Sequence, residues 1–520
     1  MTLDIADNRL NLPAGNFLKN LSGFLIPVLF FLIITALIPF DRVFEYSFDE
    51  GLYLMRAYLH MKGYALYKEV WMDQPPVFVL LLSWLFKLFG PSVQAARFLM
   101  LSFSALLLWS VYQIISKTRN AAAALCAVVL IVFSAAYVML SVAVMGSVPA
   151  VALSALAMYG IVLYQDNYRK RYLLLSGGVF ALAVLTRFFA LVFLCGILVG
   201  IVMAERAKTS GRNPIAGTMR AGIWWFAAFA AVFLYISFGA SSIDFSQLLK
   251  PYLLSAGLSG QYDQSLATWL SEEYDVVVLA VCALIFSRRE NRKIWSMPLA
   301  SLIAGVFVFS SHSPIWFYHR LYIVVPLCWL ASFSVYALYD RLKPDWRRDI
   351  RQLEIKTVFS CLCLCGALTL SVSRIPLKYA GISGLLNSLG SRGPDYPKLM
   401  ALMKQYRGQT RMVVTDRPIY AFYADLPVHP FLASCSVKRL RTKLLTTEDF
   451  IRIIDTEQPE MVLFGGYAMR ESRISPRLRQ QYVRYTDTAG TLYVLKKIAR
   501  NSTGLNPNPA VQVKRHGHSS

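Results

Sequence analysis

The chain has 520 residues, 56% of them hydrophobic and 16% charged, with a formal net charge of +23 and a mean hydropathy of +0.47. This composition is too apolar for an ordinary soluble enzyme. Repeated apolar runs near the length of about 20 residues needed to cross a bilayer identify a polytopic α-helical membrane protein, and the weak alternation of barrel strands is absent. In such a protein the position of Lys and Arg matters more than their sum, so the basic excess is no argument for a nucleic-acid partner. Seven of the eight cysteines (Cys126, Cys195, Cys282, Cys328, Cys361, Cys363 and Cys365) lie in apolar runs, leaving only Cys435 elsewhere. Neither a disulfide framework nor a zinc site follows.

The first expected span is about 24–40. No small-residue cleavage pattern follows it, so it reads as a retained helix rather than a removed signal. A polar and aromatic loop then runs to about residue 95, and within it Pro75-Pro76 opens the short apolar stretch Val77–Phe89, which suits a helix lying at the interface. Further spans are expected at about 96–116, 121–140, 148–164, 172–187, 188–204, 221–239, 275–287, 295–311, 320–338 and 357–373, making about eleven transmembrane helices.

With the N-terminus in the cytoplasm, Lys117-Thr118-Arg119, Tyr168–Arg171, Glu205–Arg220, Arg288–Lys293 and Arg341–Lys356 all fall on the cytoplasmic side. The basic excess is therefore mainly a topology signal. The stretches left outside are 41–95, Ser141–Ser147, 240–273, His312–Arg320 and everything after about residue 374.

Residues 375–500 regain soluble patterning. Arg411–Asp416, Glu460–Phe464 and Thr491–Leu495 read as buried strands, and Thr446-Thr447-Glu448-Asp449 caps a helix over Phe450–Glu457. The expected organisation is a transmembrane catalytic domain over 1–374, a small extracytoplasmic α/β domain over 375–500 and a disordered tail over 501–520.

The stretch after the first span, Ser47–His60, carries the adjacent acids Asp49 and Glu50. On a helix starting at Phe48, the residues Asp49, Tyr53, Arg56 and His60 share one face. A purely structural reading is available: Ser47 and Glu50 have capping-box spacing, and the acids suit a helix start.

The wider pattern is more specific. The Asp-Glu pair, an aromatic-rich loop, Trp71-Met72-Asp73-Gln74-Pro75-Pro76, Phe89-Gly90 and Ala95-Ala96-Arg97 follow in order, with Leu185-Thr186-Arg187 and Pro314–Arg320 further on. This set resembles the membrane-integral glycosyltransferases of the C superfamily. The nearest likeness is to glycosyltransferase family 39, the protein O-mannosyltransferase and aminoarabinose lipid A transferase group.

The resemblance implies an integral membrane enzyme, of bacterial inner-membrane type, that moves a sugar from a polyprenyl-phosphate donor (undecaprenyl or dolichyl) to a glycan, lipid or protein acceptor outside the cytoplasm, with inversion. Asp49 then matches the acceptor-activating general base, with Glu50 orienting it or binding the acceptor. Arg97 matches an arginine associated with the donor phosphate, a role also suited to Arg187, His319 and Arg320. Tyr53, Arg56, Asp73, Gln74 and Tyr318 are candidate sugar or acceptor contacts.

The chemistry agrees. A poor nucleophile needs a carboxylate within hydrogen-bond reach, and a departing phosphate needs cations where its charge develops.

Two departures stand out. Gln74 occupies the place before the paired prolines where aminoarabinose transferases have Lys, and the turn Met145-Gly146-Ser147-Val148-Pro149 has no acid where many relatives have one. Metal dependence stays open: no cofactor is demanded, while Asp49, Glu50 and Asp73 offer oxygens to a divalent cation. The competing readings are a lipid-linked sugar flippase, which calls for internal repeats and charges within several spans, and a noncatalytic membrane scaffold.

Overall fold

A computed structural model describes residues 25–26, 28–33, 35–36, 43–208, 214–255, 265–286, 295–311, 315–342, 355–390, 393–466, 469, 471–487 and 490–501. Residues 24, 27, 34 and 37–40 of the first expected span and the whole expected tail after Asn501 lie outside the described residues. The chain divides into two compact units, Met1–Gly393 and Pro394–Ser520.

Among the described residues the named elements of the first unit are all helices. Its principal helices are α1 (Phe48–Met61), α2 (Val77–Phe89), α3 (Val93–Thr118), α4 (Ala121–Val132), α5 (Ser147–Asn167), α6 (Lys170–Thr186), α7 (Leu194–Lys208), α8 (Pro214–Leu234), α9 (Tyr274–Phe286), α10 (Ser296–Ser311), α11 (Leu321–Leu342) and α12 (Ile355–Gly390). Among the described residues six stretches are long and apolar enough to cross a membrane: Val93–Thr118, Ser147–Asn167, Phe188–Lys208, Pro214–Ala240, Phe317–Leu338 and Ile355–Ser388. Val77–Phe89, Ala121–Val132, Tyr274–Phe286 and Ser296–Ser311 are shorter apolar helices. The protein is an integral membrane protein of many apolar helices.

Small residues let these helices close on one another. A Cβ at Gly177 of α6 would collide with the Trp225 carbonyl oxygen of α8, and one at Gly196 of α7 would meet the Met297 carbonyl of α10 at 2.8 Å. Close backbone approach of this kind drives association where lipid is as apolar as the side chains. The lipid-type surface survives on α8, whose Ile223 and Phe226 are exposed.

Two elements differ from the sequence expectation. The span expected at 121–140 is broken, α4 ending at Val132 and a short helix restarting at Ala135, with the extended Ser134 between them. Helix α12 continues past residue 373 to Gly390, 36 residues in all, about 54 Å at 1.5 Å per residue. Its extra length is not apolar: Lys378 pairs with Glu273 at 2.8 Å and with the buried Asp275 at 3.0 Å, while Arg374 stacks over Tyr274. The boundary between compact units accordingly falls at Gly393–Pro394.

The second unit is a small α/β domain. Strands β1 (Val413–Thr415), β2 (Met461–Phe464), β3 (Tyr482–Asp487) and β4 (Gly490–Leu495) form one sheet in the order β1-β2-β4-β3. β1 runs parallel to β2 with Val413 opposite Met461, and β4 is antiparallel to both of its neighbours. The expected helix is present as Thr447–Glu457, and its capping box joins Thr446 with Asp449. The buried Asp416 accepts from the Gly465 N–H at 2.8 Å and the Met469 N–H at 3.1 Å, tying the end of β1 to the end of β2.

Candidate active site

The approach to α1 is fixed by one buried ion pair. Arg97, near the start of α3, donates from Nε to Glu50 Oε1 and from Nη2 to Glu50 Oε2, both at 2.9 Å. Its Nη1 donates to the Val43 carbonyl at 2.7 Å, and its guanidinium lies 4.6 Å from the centre of the Tyr46 ring. The Tyr46 N–H donates to Glu50 Oε2 at 2.9 Å, closing the loop. Ser47 is the N-cap of α1, yet its side chain makes no capping hydrogen bond, so the capping box suggested by its spacing from Glu50 does not form.

Glu50 thus sits where it can orient Asp49, and it does so through Arg97. Arg97, expected on the donor phosphate, is engaged by Glu50 and two backbone carbonyls, and Glu50 is wholly buried. Together they hold residues 43–50, and with them Asp49.

Asp49 is half-buried at the first turn of α1 and lies within electrostatic reach of the Tyr53 and Tyr318 hydroxyls. Burial pushes the Tyr53 phenol up to about 12, helped by Asp49 and Asp73 and opposed by Arg187 and Arg56. The phenol is therefore a neutral hydrogen-bond donor at any physiological pH.

The acid-free turn sits here too: a Cβ at Gly146 would come within 3.5 Å of the Tyr53 hydroxyl and 3.3 Å of the Thr186 carbonyl. The turn therefore packs directly against Tyr53, with tight space only on the Thr186 side.

Arg187 ends α6 in extended backbone (φ −161°, ψ 126°) and is 2% exposed. Its Nη1 donates to Ser147 Oγ at 3.0 Å and its guanidinium lies 4.1 Å from the centre of the Tyr318 ring. Its Nε–H has no partner, and among the described residues no carboxylate pairs with it. A buried guanidinium satisfied only by a hydroxyl and aromatic faces is costly unless an anion completes it.

The remaining candidates surround this centre. Arg56 donates to Asp73 Oδ1 at 2.8 Å, both nearly inaccessible, and stands 5.6 Å from the Tyr53 ring centre. Gln74 donates to the Tyr252 hydroxyl at 3.1 Å, while its buried Oε1 has no partner. Gln247 braces the same loop, accepting from the Met72 N–H at 3.1 Å and donating to the Tyr67 carbonyl at 2.6 Å.

His319 stays beside Tyr318, their rings 4.8 Å apart edge to face, while Arg320 turns to other partners. The His319 ring packs against Phe189 at 4.3 Å and Phe309 at 5.2 Å between centres, and its Nδ1 accepts from the Trp316 N–H at 3.3 Å. Arg320 pairs with Glu272 and stacks near Trp269 and Phe317.

Asp49, Tyr53, Arg187 and Tyr318 thus gather at one centre with Ser147, Tyr252 and Tyr322, none of the last three having been a candidate. Ser147 had a signal, since the missing acid marked its turn. Tyr252 and Tyr322 had none, being tyrosines among apolar neighbours. For a metal the fit is poor: among the described residues no three His, Cys, Asp or Glu side chains are placed to hold one, and Arg97 and Arg56 take Glu50 and Asp73.

This arrangement of helices is shared with solved structures of two proteins. ArnT from Cupriavidus metallidurans, in its crystal structure bound to undecaprenyl phosphate, superposes with a TM-score of 0.55 at 12% identity over 91% of this chain and 97% of that one. The Archaeoglobus fulgidus oligosaccharyltransferase, tethered with an acceptor peptide containing the NVT sequon, gives 0.53 at 12% identity over 92% of this chain and 74% of that one. At this distance the likeness establishes the fold.

Within it, residues 73–235 match the family described as dolichyl-phosphate-mannose-protein mannosyltransferase, the group that the sequence resembles. The matched segment starts at Asp73 and contains Arg97, Ser147 and Arg187. No curated protein sequence matches the chain.

Proposed function

We propose that this protein transfers a sugar from a polyprenyl-phosphate donor to an acceptor on the extracytoplasmic side of the membrane, with Asp49 as the general base. The observation that carries the reading is the shared surrounding of Asp49 and Arg187. One acid and one buried cation without a carboxylate partner among the described residues converge on Tyr53 and Tyr318. An inverting displacement needs those two charges on opposite sides of the anomeric carbon. The carboxylate takes the proton of the attacking hydroxyl or amine, and the guanidinium receives the negative charge that builds on the departing phosphate.

The fold and the family match support a lipid-linked donor, as does the undecaprenyl phosphate in the ArnT structure. Arg187 takes the phosphate, with the neutral Tyr53 and Ser147 hydroxyls beside it. Arg56, Asp73, Gln74 and Tyr252 line the sugar or acceptor side, where the unpaired Gln74 Oε1 accepts from a substrate hydroxyl or amine. The acceptor is a glycan, a lipid or a protein. The distribution of basic segments in the sequence supports an extracytoplasmic site and an extracytoplasmic second unit.

The deciding experiment compares glycan transfer by wild type and Asp49→Asn in membranes supplied with lipid-linked sugar. The variant keeps its abundance and donor binding and loses transfer. A variant as active as wild type overturns the assignment. A reporter fused after residue 400 tests the sidedness, and its exposure to the cytoplasm would reverse it.

A further inference from the structure

A cavity lies at the other end of the helices. It measures about 170 Å³ and is lined by Thr118 of α3, Gln165 of α5, Tyr168, Met203, Ala204 and Ala207 of α7, Ser296 and Met297 of α10, and Trp329 of α11. Helix α5 runs from Ser147 beside Arg187 to Gln165 in this cavity, 18 residues on, so the two places are about 27 Å apart, near the thickness of the hydrocarbon core. No part of the proposed transfer reaction involves it.

Three observations characterise its occupant. Trp329 is 3% exposed, and its indole N–H, a group that can only donate, is buried without an acceptor. The other walls are mainly apolar, with Met203, Met297 and two alanines, and a cavity of this size takes a guest at least as large as the benzene held by a cavity of about 150 Å³. The rim is basic. Residues 117–119, 166–171 and 205–208 carry seven basic side chains, Lys117, Arg119, Arg169, Lys170, Arg171, Arg206 and Lys208, and two acids, Asp166 and Glu205. Asp166 pairs with Lys117, and Glu205 is buried against the Tyr164 hydroxyl. Lys208 is exposed and extends over Tyr168, a wall of the cavity, 5.3 Å from its ring centre.

We propose that this cavity binds one anionic phospholipid of the leaflet at that end, its ester oxygens accepting the Trp329 N–H and its phosphate lying against Lys208. An apolar pocket with one unsatisfied donor matches the glycerol ester region of a lipid, where hydrocarbon and carbonyl oxygen adjoin. A basic rim matches its headgroup charge, and basic pockets between helices at the membrane surface select anionic lipids in this way. The site is distinct from the donor site in location and in chemistry, and its lipid is a structural ligand that is not consumed.

The test uses the full-length protein, delipidated in detergent and titrated with phosphatidylglycerol, phosphatidylcholine or inorganic phosphate, with bound lipid counted by native mass spectrometry. Wild type binds one phosphatidylglycerol in preference to phosphatidylcholine, and inorganic phosphate does not displace it. Trp329→Phe and the surface variant Lys208→Gln each weaken that binding about tenfold, as loss of one hydrogen bond or one charge contact implies. If Trp329→Phe does not fold, Lys208→Gln still decides. Unchanged binding in the folded variants, equal binding of phosphatidylcholine, or displacement by inorganic phosphate overturns the proposal. The first result leaves water in the cavity and the last leaves only a free-anion site. Asp49→Asn binds phosphatidylglycerol as wild type does, so this result is independent of the transfer reaction.

Discussion

Arg97 grips both oxygens of the Glu50 carboxylate at 2.9 Å, and neither side chain is more than 1% exposed. The pair joins α3 to the start of α1, one residue from the proposed base. Removing one partner of such a pair leaves an uncompensated charge, at a cost of about 3–5 kcal/mol. Arg97→Ala should therefore lower the thermal stability of the purified protein sharply. Because Arg97 acts through Glu50, any folded fraction should lose transfer rate with little change in the donor concentration for half-saturation. A variant of normal stability that fails only to saturate with donor would return Arg97 to the phosphate site.

Arg187 should behave in the opposite sense. Hydrogen bonds to charged groups contribute about 1.5–3 kcal/mol each, so Arg187→Gln is expected to weaken donor binding roughly 10- to 100-fold in a titration with lipid-linked sugar. It should also leave the fold intact, because the side chain has no carboxylate partner among the described residues to strand. Donor binding equal to wild type would assign Arg187 to helix termination alone.

Gly177 offers a test of the packing. Its missing side chain lets α6 approach α8, where an added Cβ would collide with the Trp225 carbonyl oxygen. Overpacking of this sort costs about 1–3 kcal/mol. Gly177→Ala should lower the melting temperature measurably, whereas Gly222→Ala, which meets nothing within 4 Å, should not.

The second unit carries a pH dependence. Burial holds the His429 imidazole below its usual value of 6.5, and its Nδ1 has no partner. The folded form thus resists protonation while the unfolded chain takes up a proton near 6.5. The stability that His429 contributes is present above that pH and declines as pH falls through it, levelling off below the folded value. Urea unfolding of the second unit in the full chain, followed by proteolysis within 394–501, should show this decline between pH 7.5 and 5.5. The slope should be shallower in His429→Gln.

Much of the architecture was legible because apolar run length and loop charge are direct consequences of the bilayer. The strands β1, β2 and β4 showed as buried apolar stretches. β3 was missed because, after the buried Tyr482, it alternates half-buried and exposed residues and includes Arg484 and Asp487. The break at Ser134 was invisible in a continuous apolar run.

At the site, the importance of the Asp49-Glu50 stretch could be read from residue order. The partner of each charge could not. Arg97 is 47 residues from Glu50 and Tyr252 is 178 residues from Gln74, and no local spacing indicates that the first pair neutralises itself while Arg187 stays open. The acid-free turn was the exception, because the absence of a residue type is itself visible, and it led to Ser147.

That serine has a kinetic consequence. A hydroxyl beside Arg187, where an acid would have balanced it, leaves the electrical account of the pocket to be closed by whatever occupies it. In the proposed reaction the donor enters as a phosphodiester bearing one negative charge, and the released polyprenyl phosphate is a monoester that approaches two. An unbalanced guanidinium holds the second more firmly than the first. The spent carrier, leaving late, would then set the pace of turnover and restrain the enzyme when it accumulates.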